Sequence, residues 1–205
     1  MKKIIVCGLM LAVLLCSLFV GCTTDKEYDL SAKVSADIIS AERIDARATV
    51  HTIRNSAFTL TYKDVFSAND LQAQLDKVLM PTDEQSVRNE LIKAEVLRQY
   101  ASNEGSIISL ETAEEQAKNE FALLKTDPAQ ADFYNNLKIA MQAAEIDETT
   151  FLALSCQLAY DTYNVTSAKS VFANSKEYSK DSSKSLDEQF EEFTAKLIKK
   201  AIIEQ

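Results

Sequence analysis

Glycine, histidine and cysteine are scarce in this 205-residue chain, and each scarcity excludes a class of site. There are three glycines, and Gly105 is the only one that follows residue 22. A glycine-rich loop that binds phosphate therefore cannot form. His51 is the only histidine, which excludes zinc sites that need several imidazole ligands. We predict no catalytic residues, no cofactor and no metal site.

The four cysteines are unevenly placed. Cys7, Cys16 and Cys22 lie near the N-terminus, which leaves Cys156 as the only cysteine in the body of the chain. No intramolecular disulfide can form within that body. Because Cys156 falls in the apolar run Phe151–Leu158, we interpret it as a small buried core residue rather than a reactive thiol.

The chain is acidic, with 22 Lys and Arg against 31 Asp and Glu. Lys2 and Lys3 belong to the apolar N-terminal leader, so the remainder carries 20 basic and 31 acidic residues, a net charge of −11. Nucleic acid is excluded as a partner because its phosphates need a basic face. The acid excess favours basic segments of a polypeptide partner and keeps an apolar binding surface soluble.

The N-terminus follows the pattern of an exported protein. Lys2 and Lys3 precede an apolar run from Ile4 to Val20, which is typical of a signal peptide. The segment Leu18–Cys22 then resembles a bacterial lipobox. The resemblance implies cleavage before Cys22 and lipid attachment there, with fatty acids such as palmitate. An uncleaved transmembrane anchor and ordinary signal cleavage are the alternatives.

These features predict a lipoprotein on the extracytoplasmic face of the cell membrane. Residues 1–21 are the predicted signal peptide, and residues 22–29 are a polar tether. Thr23 stands where an aspartate would signal retention in the inner membrane of a two-membrane bacterium. An outer-membrane location therefore stays open for such a cell.

Helical spacing of apolar residues dominates from residue 30 onward. The clearest helix is Thr82–Gly105, with a predicted cap at Thr82 and a glycine stop. Its apolar residues recur at intervals of three and four: Val87, Leu91, Ala94, Leu97 and Ala101. Further helices are predicted for Leu30–Arg47, Asp132–Ala144 and Ser185–Ala201, and after caps at Ser67, Ser109 and Asp147.

Short stretches with another period predict strands. Two short strands are predicted on either side of a turn at Asn55–Ser56. The first carries Val50 and Ile53, and the second carries Phe58, Leu60 and Tyr62. Residues 201–204 predict a last strand. The expected fold is mainly α, with one or two short strands pairing the N- and C-terminal segments. We divide it into a helical module at 30–165, a Ser/Lys-rich linker at 166–184, and a C-terminal helix and strand at 185–205 that pack back on the module.

Four segments occur in the order of a known module. Val50–Thr59 is similar to a strand–turn–strand entry, and Asn89–Ala101 to the central helix. Ala144–Phe151 is similar to the start of a later helix, and Phe193–Glu204 to a closing helix and strand. Together they resemble the non-catalytic, N-terminal chaperone module of SurA-like and PrsA-like foldases. The resemblance implies a SurA N-like fold that offers a cradle to unfolded or folding polypeptides in the cell envelope.

The chain also departs from that family. A parvulin prolyl isomerase domain commonly lies between the last two segments, but residues 166–184 are too few to form a domain. Parvulin sites also depend on paired histidines, and only His51 is present. We therefore predict a chaperone-like protein that is not an enzyme and that binds unfolded or secreted polypeptides passively.

Aromatic residues are the candidates for binding such a client. Some of them could line an apolar groove, although burial in the core is the alternative for each: Phe133, Tyr134, Phe151, Tyr160, Tyr163 and Phe172. The groove is expected between the helices Asp83–Asn103 and Ser185–Ala201. Without it, the alternative function is that of a structural or adaptor lipoprotein for one dedicated envelope partner.

Overall fold

The computed structural model describes residues 32–180 and 182–203, without the side chains of residues 68 and 69. The predicted signal peptide, the tether and Cys22 lie outside the described residues. Over the described part the fold has seven α-helices, a helical content of 74% and one two-stranded sheet, which confirms the mainly α prediction. In chain order the elements are β1 Lys33–Val34, α1 Ala41–Tyr62, α2 Ala68–Val78, α3 Glu84–Asn103, α4 Leu110–Thr126, α5 Ala131–Ala143, α6 Glu148–Ala173, α7 Leu186–Lys200 and β2 Ile202–Ile203.

Side-chain caps explain where most of these helices begin. The predicted caps Ser67, Ser109 and Asp147 each accept a hydrogen bond from the backbone N–H three residues later. Ser185 forms a complete capping box with Glu188 at the start of α7. The predicted cap of α3 was wrong by one residue, because Asp83 accepts from Ser86 N–H.

The predicted strand–turn–strand at residues 50–62 is wrong, because α1 runs without a break from Ala41 to Tyr62. Val50, Ile53 and Ala57 are buried on one face at helical spacing. The threonines suggested strands, yet the hydroxyls of Thr59 and Thr61 donate to carbonyls four residues back within the helix. Tertiary burial of the apolar face therefore overrides the strand preference of this stretch.

The two strands join the N- and C-terminal segments, as predicted, but the N-terminal strand is β1 rather than the 50–62 stretch. β1 and β2 are parallel, with Lys33 opposite Ile202. The helix predicted for Leu30–Arg47 is therefore wrong over residues 32–40, and residues 30 and 31 lie outside the described residues. The other edge of β1 bonds to Gln99 on α3, whose side-chain amide accepts from Lys33 N–H at 3.1 Å and donates to Lys33 C=O at 2.7 Å.

Two apolar cores lie along the molecule. The first core joins β1, α1, α3, α6 and α7, and includes Val34, Ile44, Leu91, Leu97, Phe172 and Phe193. The second core joins α1, α4, α5 and α6, and includes Val50, Ile53, Phe121, Leu137 and Phe151. The helices α1 and α6 contribute to both cores and therefore connect them.

The linker predicted at 166–184 is wrong in its first part, because α6 continues to Ala173. Ala168 and Phe172, four residues apart, are buried in the first core. The hydroxyls of Thr166 and Ser167 both have hydrogen-bond partners. Thr166 donates to Thr162 C=O within α6, and Ser167 donates to Ser106 C=O before α4. The irregular connection between α6 and α7 is therefore shorter than the sequence indicates.

Candidate functional site

The six aromatic residues predicted to bind a client do not form one surface. Phe151 and Phe172 are each only 1% exposed, and they lie in different cores. Phe151 contacts the Phe121 ring, whereas Phe172 stacks on Phe193 with ring centroids 4.9 Å apart. The prediction that Phe151 and Phe172 line a groove is therefore wrong, because both stabilise the fold from within.

The other four aromatic residues are half-buried in separate places. Phe133 and Tyr134 pack against the second core, and the Tyr134 hydroxyl donates to Glu148 at 2.8 Å. The Tyr163 hydroxyl donates to Glu120, and burial together with that carboxylate raises the pKa of Tyr163. Tyr160 lies near Arg98 on α3. Each of the three tyrosine hydroxyls already has a polar partner, which is consistent with a structural role.

The groove expected between α3 and α7 is closed in the described part of the chain. Tyr100 on α3 meets Phe193 on α7 edge to face, with centroids 5.0 Å apart. On the same interface Lys93 binds Glu191 at 2.7 Å. Direct packing of the two helices leaves no space there for a polypeptide segment.

A buried cluster of charges connects α1, α3 and α6. Arg47 is 5% exposed; it donates to Glu90 at 2.6 Å and also to Asp161. Arg43 contributes a longer bond of 3.4 Å to Asp161. A pocket of about 270 Å³ opens beside these arginines and Gln157. Because the buried Arg47 is paired on both sides, the cluster fixes the helices and leaves Arg47 little freedom to bind a ligand.

His51 and Asn55 on α1 hold the connection between α2 and α3. His51 is 1% exposed, and its Nδ1–H donates to Pro81 C=O at 2.6 Å. The Asn55 amide donates to Met80 C=O at 2.8 Å and accepts from Met80 N–H at 3.0 Å. Burial lowers the pKa of His51, so the neutral ring is the form that makes this contact at neutral pH.

A row of aromatic residues extends from the end of α1. Phe58 and Tyr62 have ring centroids 4.5 Å apart, and Tyr62 and Phe66 have centroids 5.9 Å apart. All three side chains are half-buried, and within the described chain none of them belongs to either core. Phe58 and Tyr62 lie on one side of the end of α1, four residues apart, and Phe66 follows in the turn after the helix. The two ring pairs are tilted, with interplanar angles of 44° and 37°, and part of each ring stays in water.

The helix α2 follows this row and leaves part of its own apolar face uncovered. Leu71, Leu75, Val78 and Leu79 follow helical spacing, and Leu75 is buried. Val78 and Leu79 are 43% and 42% exposed, and Val65 before the helix is 54% exposed. Among the described helices α2 alone lacks an extended packing partner. We call residues 58–79 the arm.

The arm was not predicted from the sequence, because its first residues were assigned to a strand. Assigning residues 58–62 to a strand places Phe58 and Tyr62 on a face with Leu60, whereas their spacing of four residues was the signal of a helix. Phe66 lies in the turn that follows this helix. The stripe of α2 was predicted correctly. Whether another helix covers that stripe is a matter of tertiary packing, which periodicity does not reveal.

Comparison of the chain with protein-family models, curated proteins and solved structures found no match. Within the residues described, no group of three His, Cys, Asp or Glu side chains is arranged to hold a metal ion. None of the helices in that same part of the chain has the length and apolar character needed to cross a membrane. The arm is therefore the candidate site, on the basis of its own geometry.

Proposed function

We propose that this protein is a membrane-anchored, chaperone-like lipoprotein that passively binds unfolded or folding secreted polypeptides. It has no isomerase activity and needs no cofactor. The observation that carries the proposal is the arm, which offers three neighbouring aromatic rings in tilted contact and the exposed side chains of Val65, Val78 and Leu79. Three of the four segments that resemble SurA-like and PrsA-like foldases, residues 89–101, 144–151 and 193–204, support the same function, whereas residues 50–59 are helical and do not.

The arm suits an unfolded polypeptide because its surface is apolar and not shaped for one ligand. Exposed apolar side chains on a helix bind the apolar residues that an unfolded chain displays. Half-exposed rings add contact area at a small cost in conformational entropy. The net charge of −9 over the whole chain attracts basic client segments at long range. Binding and release then follow from weak contacts.

Lipid attachment at Cys22 places this activity at the membrane. The lipobox of residues 18–22 supports cleavage and acylation there. Several acyl chains give the stable anchoring that a single chain does not. The protein would then hold clients on the extracytoplasmic face of the cell membrane, or at the outer membrane of a two-membrane bacterium.

An aggregation assay with a reduced, unfolding client tests the proposal. We expect stoichiometric protein to suppress light scattering by the client. Replacing Val78→Ser and Leu79→Ser together should remove most of that suppression without unfolding the protein, since both side chains are exposed. The matched control is Leu110→Ser with Leu123→Ser, which changes two exposed leucines of α4. Unchanged aggregation across several clients would refute the chaperone function.

A second candidate function is an adaptor that binds one dedicated envelope partner. The closed interface between α3 and α7 favours it, because the broad cradle expected there is missing. Cross-linking in cells separates the two functions. A spread of secreted clients supports the chaperone, whereas one dominant partner supports the adaptor.

A further inference from the structure

The sheet end of the molecule combines exposed isoleucines with basic residues. Ile202 and Ile203 form β2 and are 58% and 38% exposed. Lys199 and Lys200, in the last turn of α7 directly before β2, are also exposed. This composition differs from that of the chain as a whole, which has a net charge of −9.

This end also lies where the membrane tether joins the fold. Ile202 N–H donates to Ala32 C=O at 2.8 Å, so β2 touches the first described residue. Ala32 follows Cys22 by ten residues, and ten residues reach at most about 35 Å when fully extended. A lipid on Cys22 therefore keeps β2 within that distance of the bilayer.

The geometry of the sheet favours a lipid surface over an added peptide strand. The outer edge of β1 is occupied by the Gln99 amide, which bonds both backbone groups of Lys33. Only β2 remains for an added strand, and its two residues would give a peptide few hydrogen bonds. Apolar side chains beside lysines are instead the composition that contacts anionic headgroups.

We infer that Lys199, Lys200, Ile202 and Ile203, here named the basal surface, contact the anionic phospholipid bilayer. The inference rests on the proposed anchoring through Cys22 and goes beyond it by orienting the protein. The isoleucines enter the headgroup region and the lysines face phosphates, while Asp37 in the turn after β1 opposes the attraction in part. Ile44 in the first core and Ala57 in the second core are separated by about 20 Å along the axis of α1.

Depth-dependent quenching tests this orientation on the full acylated protein. An environment-sensitive dye is attached at Ile203→Cys, or at Leu123→Cys as the matched exposed position beside the second core. The buried Cys156 stays unlabelled. In vesicles of equal parts phosphatidylglycerol and phosphatidylcholine with a spin-labelled lipid, we expect several-fold stronger quenching at residue 203. Equal quenching at both positions, or none at either, would overturn the inference.

Reversing the charge of the two lysines tests their contribution to membrane contact. Lys199→Glu with Lys200→Glu should reduce the quenching at residue 203 in the anionic vesicles and leave it unchanged in pure phosphatidylcholine. Lys118→Glu, which changes an exposed lysine on α4 outside the arm, should change neither. Full quenching retained by the double variant in anionic vesicles would contradict the role of the lysines.

Two further measurements distinguish a failure of this inference from a failure of the proposed function. Palmitate incorporation is measured on the same preparation, and a chain without lipid refutes the anchoring. The full chain with Cys7→Ser, Cys16→Ser and Cys22→Ser cannot take the lipid and carries the dye only at the introduced cysteine. Mixed with the same vesicles, it supports the basal surface if quenching occurs at residue 203 and not at residue 123, and no quenching overturns the inference. Protection of the residue 203 label by an unfolded polypeptide without vesicles would assign β2 to peptide binding and also overturn it.

Discussion

The aromatic residues of the first core and those of the arm have the same side-chain chemistry but different surroundings. Phe172 contacts the rings of Tyr178, Phe190 and Phe193 and is almost completely buried. In the arm, the rings of Phe58 and Phe66 each contact the Tyr62 ring in a tilted arrangement, and all three side chains are only half-buried. The first set stabilises the fold, whereas the second leaves apolar surface in water that a partner can cover. Aromatic content alone therefore does not identify a binding site.

The largest expected effect comes from placing a charge in the first core. Leu91 on α3 is 1% exposed, and Leu91→Asp would bury a carboxylate without a partner. We expect loss of cooperative folding, measured as loss of helicity by circular dichroism. Leu123→Asp, at a position 65% exposed on α4, should keep the native spectrum. A Leu91→Asp protein with native melting behaviour would show that α3 is not central.

Truncating one aromatic ring in the first core and one in the arm compares these two regions directly. Phe172→Ala should lower the free energy of unfolding by about 3–5 kcal/mol, because it opens a cavity among packed rings. Phe66→Ala should cost only about 1 kcal/mol, since its ring contacts Tyr62 at the surface. Urea denaturation measures both values. Suppression of client aggregation should be lost in Phe66→Ala and kept by the folded fraction of Phe172→Ala; the reverse result would exchange the two roles.

The buried charge cluster around Arg47 belongs to the packed part of the fold and not to the arm, so breaking it should lower stability. Asp161→Asn removes a carboxylate partner of Arg47, which is buried between α3 and α6. We expect a loss of about 3 kcal/mol in the free energy of unfolding, measured by urea denaturation. Asp45→Asn, at an exposed position on α1, serves as the control and should be nearly neutral. Equal stability of the two variants would show that the cluster does not fix the helices.

A smaller, pH-dependent effect is expected at His51, where α1 holds the base of the arm. The folded pKa of His51 is lowered from 6.5 by burial, so the unfolded state takes up the proton first as the pH falls. The stability contributed by neutral His51 is therefore complete above about pH 6.5 and is lost below it, by up to about 1.4 kcal/mol per pH unit. Glu90 at 3.6 Å from Nε2 limits the loss, whereas Arg47 and Arg54 increase it.

His51→Gln tests that effect, because glutamine is able to donate to Pro81 but does not titrate in this range. Its stability should fall less than that of the unmodified protein between about pH 6.5 and 5. Thr52→Ala, at the exposed neighbouring position, should retain the full acid-dependent loss. Parallel pH profiles for His51→Gln and the unmodified protein would assign the loss to other groups.

The sequence predicted well the elements that are determined locally. The stripes and stops of α3 and α7 and the capping box at Ser185 follow from residues a few positions apart, and they are confirmed. The pairing of the chain ends was also predicted, although β1 was placed too late in the chain. The α1 helix was mistaken for strands because its threonines have strand preference, while burial of its apolar face decided the outcome.

The candidate site could not be predicted because exposure depends on distant parts of the chain. Phe172 was interpreted as a possible groove residue in a linker, yet the continuation of α6 brings it against α7. Val78 and Leu79 belong to a stripe that looks like a core face in sequence, and its member Leu75 is buried, but Val78 and Leu79 remain 43% and 42% exposed. Periodicity identifies an apolar face, and only packing decides whether that face is core or surface.

Site-specific photo-cross-linking gives the most direct test of polypeptide binding by the arm. A photoreactive phenylalanine analogue is placed at Val65 in the arm or at Leu123 on α4, which are 54% and 65% exposed, and the protein is illuminated with a reduced, unfolding client. We expect client adducts at position 65 and few at position 123. Equal adduct yields at the two positions, or adducts at position 123 alone, would contradict this expectation.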